Sequence, residues 1–285
     1  MIETSLSWQR TGTGEPLLLL HGIGSTRDDF AALRDRLAQE YEVLGVDLPG
    51  HGESPALATR PTVGALADAL EADLDRLGLD RVHVLGNSLG GRLALELARR
   101  HRARSVVAIA PSGTGLPPER VYQGLALSGA RVSLRRLRGL IGPLSGSRPG
   151  RTLLLAGLRA RPAHASGAEA RAVRGGFADS TGFWRMLCWS VLLDVPTGLR
   201  EVDCPVVLAQ GVRDLLSGGQ TPRYLLLVPG SRFRPLLRAG HAPHSDTPDA
   251  IVELVHRATR AGQERFGALP GDLSHPQVGL TEAVA

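Results

Sequence analysis

Four short runs constrain this chain more than anything else in it: "PLLLLHG" at 16–22, "RVHVLGNS" at 81–88, "RSVVAIAPSG" at 104–113 and "CPVVLAQGVRD" at 204–214. Each is apolar almost without interruption over the length of a strand. A strand with water on one face alternates apolar and polar residues, and these do not. Such strands must be covered on both faces, as in a parallel sheet sandwiched between helices. Between the runs, apolar residues recur at helical spacing: Phe30, Leu33 and Leu37 within 27–40, and Leu66, Leu70, Leu74 and Leu77 within 62–78. Thr62 is placed to cap the second of these helices and Gly78 to end it. "GGRLALELARRH" (90–101) and "TPDAIVELVHRATR" (247–260) read as further helices, and "LSWQRTG" (6–12) as an opening strand. The alternation predicts an α/β chain with a mostly parallel, doubly wound sheet.

The alternation stops near residue 114 and resumes near 203. The core is therefore expected in two pieces, 1–113 and 203–261, around an inserted helical segment, 114–202, rich in Arg, Gly, Leu and Pro. Residues 262–285 lack periodicity and are expected as a loosely attached tail. A chain of 285 residues with 42% hydrophobic content can bury a substantial core. There is no lysine, and all 33 basic residues are arginine, a usage typical of GC-rich bacterial genomes. The arginines are spread out and accompany no reading motif, so no nucleic-acid partner is expected. Cys188 and Cys204 stand in no metal or redox spacing and read as buried thiols of a reducing cytoplasm. "MIETSLSWQR" has neither the basic nor the apolar region of a leader, and no apolar run is long enough to span a bilayer. The expected location is cytoplasmic. Oligomeric state is not legible.

The strand ending in Asn87 runs straight into a helix through Gly86-Asn87-Ser88-Leu89-Gly90. A nucleophile on so sharp a strand-to-helix turn needs small neighbours on either side, because strand and helix approach closely there. G-x-S-x-G supplies them. The helix N-terminus also favours negative charge developing at the serine. A serine hydroxyl needs a base. Of nine histidines, His241 directly follows the last strand, in "LRAGHAPHSDTPD". The carboxyl ends of parallel strands share one edge, so His241 and Ser88 are expected at the same edge. His244, three residues on, is the competing candidate. Asp214 ends the strand "PVVLAQGVRD" and reaches the same edge, where a carboxylate can hold the imidazole tautomer. Asp47 sits in loop context, and Asp194 and Asp203 precede the strand. The expected catalytic residues are Ser88, Asp214 and His241.

With "HGIGST", "DLPGHGES", "GNSLGG", "GVRD" and "AGHAPH" in place, the chain resembles the α/β-hydrolase fold superfamily from about residue 15 to 260, outside the insertion. Nucleophile, acid and base follow in that family's order. The resemblance implies that "HGIG" forms the oxyanion loop after the family's third strand. The backbone N–H groups of Ile23 and Leu89 would bind the oxyanion, and His21, Asp47, Gly50 and Gly52 would be structural. It also implies a serine hydrolase working through an acyl-enzyme on an ester, thioester, lactone or carbon–carbon bond, without metal or organic cofactor. Family members with an aspartate nucleophile, the haloalkane dehalogenases and most epoxide hydrolases, are disfavoured by serine at 88. "GVRDLLSGG" lacks the proline often found soon after the acid.

The insertion reads as a helical cap over the site. Its piece "ARVSLRRLRGLIGPLSG" carries Leu134, Leu137, Ile141 and Leu144 on one stripe with arginines between. That is a cap helix with a solvated basic face, or a patch for an anionic partner such as an acyl-carrier protein or a membrane surface. "GFWRMLCWSVLL" gathers Phe183, Trp184, Met186 and Trp189 in a chain with 4% aromatics. They belong either to core or to an apolar substrate pocket. Two other functions stay open: non-hydrolytic biosynthetic chemistry (lyase, cyclase or perhydrolase-like) on the same fold, or ligand binding with a vestigial triad.

Overall fold

The computed structural model describes residues 5–267. Seven strands form one sheet in the order β1-β3-β2-β4-β5-β6-β7. They are β1 (Trp8–Thr11), β2 (Glu15–Leu20), β3 (Tyr41–Val46), β4 (Val82–Asn87), β5 (Ala103–Ile109), β6 (Val206–Gly211) and β7 (Arg232–Leu236). β1 pairs antiparallel with β3, and every other pair is parallel. The continuous apolar runs are buried from end to end in β2, β4, β5 and β6. Successive residues face opposite sides. Leu18 and Leu20 enter one core with Leu66, Leu70 and Leu93, whereas Leu17 and Leu19 enter another with Leu33, Leu37 and Ile251. Helices α1 (Ala31–Leu37) and α10 (Pro248–Phe266) therefore cover one face, and α2 (Val63–Arg76) and α3 (Leu89–Arg99) the other.

Local chemistry sets the boundaries. The Thr62 hydroxyl accepts from the Ala65 N–H at 3.2 Å and starts α2, and Gly78, at φ +71°, turns the chain away after it. The helix expected over 27–40 is shorter, because Arg27–Phe30 forms a 3₁₀ turn before α1. "YLLL" is helical as α9 (Tyr224–Leu227), and β7 is a half-exposed edge strand.

Between β5 and β6 the described chain contributes helices and no strand: α4 (Pro117–Arg136), α5 (Arg138–Ser145), α6 (Arg148–Leu155), α7 (Gly167–Asp179) and α8 (Phe183–Met186), which runs on as a π-helical turn, Leu187–Leu192. Arg135, Arg136 and Arg138 are exposed there, but Arg131 is buried and donates to the Phe177 and Ser180 carbonyls. The segment is tied to the sheet's loops. The Ser180 hydroxyl and the Gly182 N–H both donate to the Gly50 carbonyl, and the Ala242 N–H donates to Leu158.

Two expectations need correction. Cys188 is exposed, because it lies on the outer side of the π-helical turn; only Cys204 is buried, and burial pushes its thiol up to about 12. The chain is helical to Phe266, five residues past the expected boundary at 261, and Gly262 is buried close against the Arg104 carbonyl. The rest of the expected tail, from residue 268, lies outside the described residues. Among the described residues no helix is long and apolar enough to cross a membrane.

Candidate active site

The carboxyl ends of β2, β4, β6 and the segment after β7 meet at one edge of the sheet, and each delivers one part of the site. Ser88 sits between β4 and α3 at φ 56°, ψ −116°. That backbone is sparsely populated for a residue with a Cβ, and strain of this kind concentrates where a side chain must be presented. Its N–H is held by the Ile109 carbonyl at 2.8 Å. The flanking glycines are required sterically. A Cβ on Gly86 would overlap the Gly90 carbonyl, and one on Gly90 would overlap the Leu20 carbonyl. Gly22, across the cleft, would press a Cβ against that of Ser88 at 3.2 Å.

His241 is buried, and its Nδ1–H donates to Asp214 Oδ2 at 2.9 Å. That leaves Nε2 as the nitrogen without the proton, the one a base needs. Asp214 is saturated with donors. Oδ2 also accepts from Gln210 Nε2 at 2.6 Å and the Ser217 hydroxyl at 2.8 Å, and Oδ1 from the N–H groups of Leu216 and Ser217 at 2.8 and 3.1 Å. Burial raises the carboxyl, but the His241 charge and these hydrogen bonds outweigh it and hold it well below the usual carboxylate range. The same pairing works on His241. Burial lowers its imidazolium, yet Asp214 wins and the net shift is upward.

Ser88 and His241 line one small cavity of about 50 Å³, together with Gly22, Ile23, Leu158 and Phe177. Ile23 follows β2, which is second along the chain and third across the sheet. Leu89 is the first residue of α3, so its N–H has no acceptor within the helix. Two buried histidines brace the "HGIG" loop. His21 donates from Nδ1 to Gly22 O at 2.8 Å and accepts the Leu48 N–H at 3.0 Å; His51 Nε2 accepts the Gly24 N–H at 2.9 Å. Burial lowers both, His51 to about 3, so both stay neutral and act as scaffolding. Asp47 is likewise spent on the Arg27 and Glu53 N–H groups and the Arg27 guanidinium.

The remaining histidines among the described residues do not line the cavity. His244 is buried against the Phe30 ring, with Nε2 3.3 Å from Asp29 Oδ1, and does not line the cavity. His83 bridges Glu15 and Ser105, His101 faces Asp203, His256 faces Glu40, and His275 is outside the described residues. Asp194 accepts from the Val63 N–H, away from the site. No group of three or more metal-ligating side chains occurs among the described residues.

The aromatic cluster does not form the pocket. Phe183 and Met186 are buried in the core, Phe183 edge-on to Phe177 at 5.0 Å, while Trp184 is 45% exposed and Trp189 lies under the Arg60 guanidinium. None of the four lines the Ser88 cavity or the larger one beside it. Helical spacing marked them as apolar without saying what they pack on. Sequence reasoning also missed Gln210, Ser217, Asp29 and Arg159. The last two line the cavity, where Asp29 is held at about 2: burial raises it, and His244, Arg159 and His21 lower it further.

The profile of the alpha/beta hydrolase family matches residues 17–254. Over 196 residues, 67% of this chain and 91% of the relative, the chain is 31% identical to the epoxide hydrolase EphH of Mycobacterium tuberculosis. Over 248 residues, 86% and 92% respectively, it is 29% identical to a pimeloyl-acyl-carrier-protein methyl ester esterase of Neisseria meningitidis. Against several other curated relatives the match spans only 26% to 36% of their length. The solved structure of a thermophilic esterase from Thermogutta terrifontis superposes with a TM-score of 0.69 over 90% of this chain and 93% of its own, at 24% identity. That last likeness establishes the fold alone.

Proposed function

From the chain's membership of the alpha/beta hydrolase family, we propose that it is a serine hydrolase that cleaves the acyl bond of a small, largely apolar ester through Ser88, His241 and Asp214, beneath a cap built from residues 114–202. One observation carries the reading. A serine on a strained strand-to-helix turn shares a cavity with a histidine whose far nitrogen is held by a buried, ionised aspartate.

His241 Nε2 takes the Ser88 proton as Oγ attacks the carbonyl carbon. The carbonyl oxygen becomes an oxyanion at the N–H groups of Ile23 and Leu89, and the imidazolium is stabilised by Asp214. Collapse breaks the bond to the leaving oxygen, which takes the proton from His241. Water, deprotonated by the same nitrogen, then releases the acid. The relatives' names point to both ester and epoxide hydrolysis. Serine at 88 favours the ester, since its weakly nucleophilic hydroxyl needs the base that His241 provides and an electrophile whose negative charge falls on donors already in place.

A fluorophosphonate probe tests this. Stoichiometric labelling at Ser88, with parallel loss of p-nitrophenyl ester turnover, is the expected result. An unlabelled Ser88 in a protein that still cleaves esters would sink the proposal. Ser217→Ala is expected to lower kcat/KM on the order of tenfold, because Asp214 loses one charge-assisted hydrogen bond on the oxygen that holds His241. Steady-state kinetics at constant thermal stability checks it.

A further inference from the structure

The cavity at Ser88 holds only a few water-sized groups, enough for a carbonyl and its nearest atoms. It has a larger neighbour. A second cavity of about 460 Å³ lies among the helices between β5 and β6, and Leu127, Leu158, Val173, Phe177 and Leu216 line both. That volume falls in the range of ligand sites. We propose that this groove holds a straight aliphatic chain of the substrate, so that the preferred substrate is a medium-chain ester; the inference rests on Ser88 as the nucleophile.

The lining selects the class. The insertion is dense with arginine, yet among the described residues no charged side chain lines the groove, and the hydroxyls among them are those of Tyr122 and Ser133. A charged or strongly polar group would be desolvated there without a partner. Ala126 and Ala130 of α4 leave the space that larger side chains would fill. At the rim, Leu153 and Leu215 are 67% and 70% exposed, apolar surface that a bound chain would cover. The narrow Ser88 cavity admits no bulk next to the carbonyl, which favours a linear chain over a branched or polycyclic one. The chain can belong to the acid or to the alcohol of the ester.

Two ester series read this out on the full-length protein: p-nitrophenyl esters from acetate to dodecanoate, and acetates of straight-chain alcohols of the same lengths. In the series whose chain enters the groove, kcat/KM should rise about fourfold per methylene before levelling off. A rise in either series supports the groove and tells acid from alcohol; flat profiles in both overturn it. Ala126→Trp should cut the ratio of long-chain to short-chain kcat/KM at least tenfold, and Ala130→Trp gives the same readout should the first variant misfold. Fluorophosphonate labelling of the same samples separates the two failures. Labelled Ser88 with flat profiles sinks the groove alone, whereas unlabelled Ser88 sinks the nucleophile and the groove with it.

Discussion

Ser88→Ala is expected to lower kcat on a p-nitrophenyl ester by about a millionfold, the scale seen when a serine nucleophile is removed. The acyl-enzyme cannot form without Oγ, and His241 then has only water to activate. Water lacks the fixed placement that the strained turn gives Oγ. What would survive is binding plus the proposed donors at Ile23 and Leu89, on the order of 10³ over the uncatalysed reaction. The variant keeps a Cβ at φ 56°, so it carries the parent's backbone strain and should melt at nearly the same temperature. The loss would then be chemical. Pre-steady-state kinetics gives the sharper reading: the parent should release a burst of p-nitrophenol equal to the enzyme present, and the variant none. A variant retaining even a hundredth of the parent's turnover would rule out the covalent route.

Much of this site was legible because its parts are local. Continuous apolar runs identify strands buried on both faces, and the carboxyl ends of such strands collect at one edge whatever the order of the sheet. That reasoning placed Ser88 at one edge with Asp214 and His241, each more than a hundred residues further along the chain. Gly86 and Gly90 were legible too, since their requirement arises within a single turn. The missed residues depend on contacts that no period encodes. Arg159 meets Ser245, and Asp29 meets His244, across long stretches of chain. The groove is assembled from α4, α5, α6, α7 and the loop after β6, whose relative packing helical spacing leaves open. The aromatic cluster was ambiguous for the same reason, because a buried face and a ligand-lining face carry the same apolar pattern. Ser217 was within reach. Three residues after Asp214, in a turn, its N–H and hydroxyl are placed to bond back to the carboxylate.

Asp214→Asn is expected to lower kcat/KM about 10⁴-fold, and the reason lies in the donor count around the carboxylate. Oδ2 accepts from Gln210, Ser217 and His241 together. An amide NH₂ at that position accepts nothing, so it can bond His241 only if Nδ1 gives up its hydrogen. The imidazole proton then sits on Nε2, and the base is lost. Asn turned the other way leaves its NH₂ against the N–H groups of Leu216 and Ser217 instead. Either orientation buries donors without acceptors, at a cost on the order of 2 kcal/mol of stability. The pH dependence has a definite sign. Burial lowers the His241 imidazolium and Asp214 more than restores it, so the parent's kcat/KM should fall on the acid side with a midpoint above the ordinary histidine value of 6.5. Without the carboxylate, burial is opposed only by the more weakly felt Asp29, and the variant's midpoint should move to lower pH. Stability follows the same two groups. Asp214, depressed in the fold, stabilises above its ordinary 3.8 and less as pH falls; His241, raised in the fold, stabilises below 6.5 and less as pH rises through its folded value. The gap in unfolding free energy between parent and variant should therefore be widest between those two values and narrow toward neutral and alkaline pH. Denaturant titrations across that range, beside kcat/KM profiles, decide the matter. A variant with the parent's acid midpoint and a gap independent of pH would mean that Asp214 holds the loop together without supporting charge on His241.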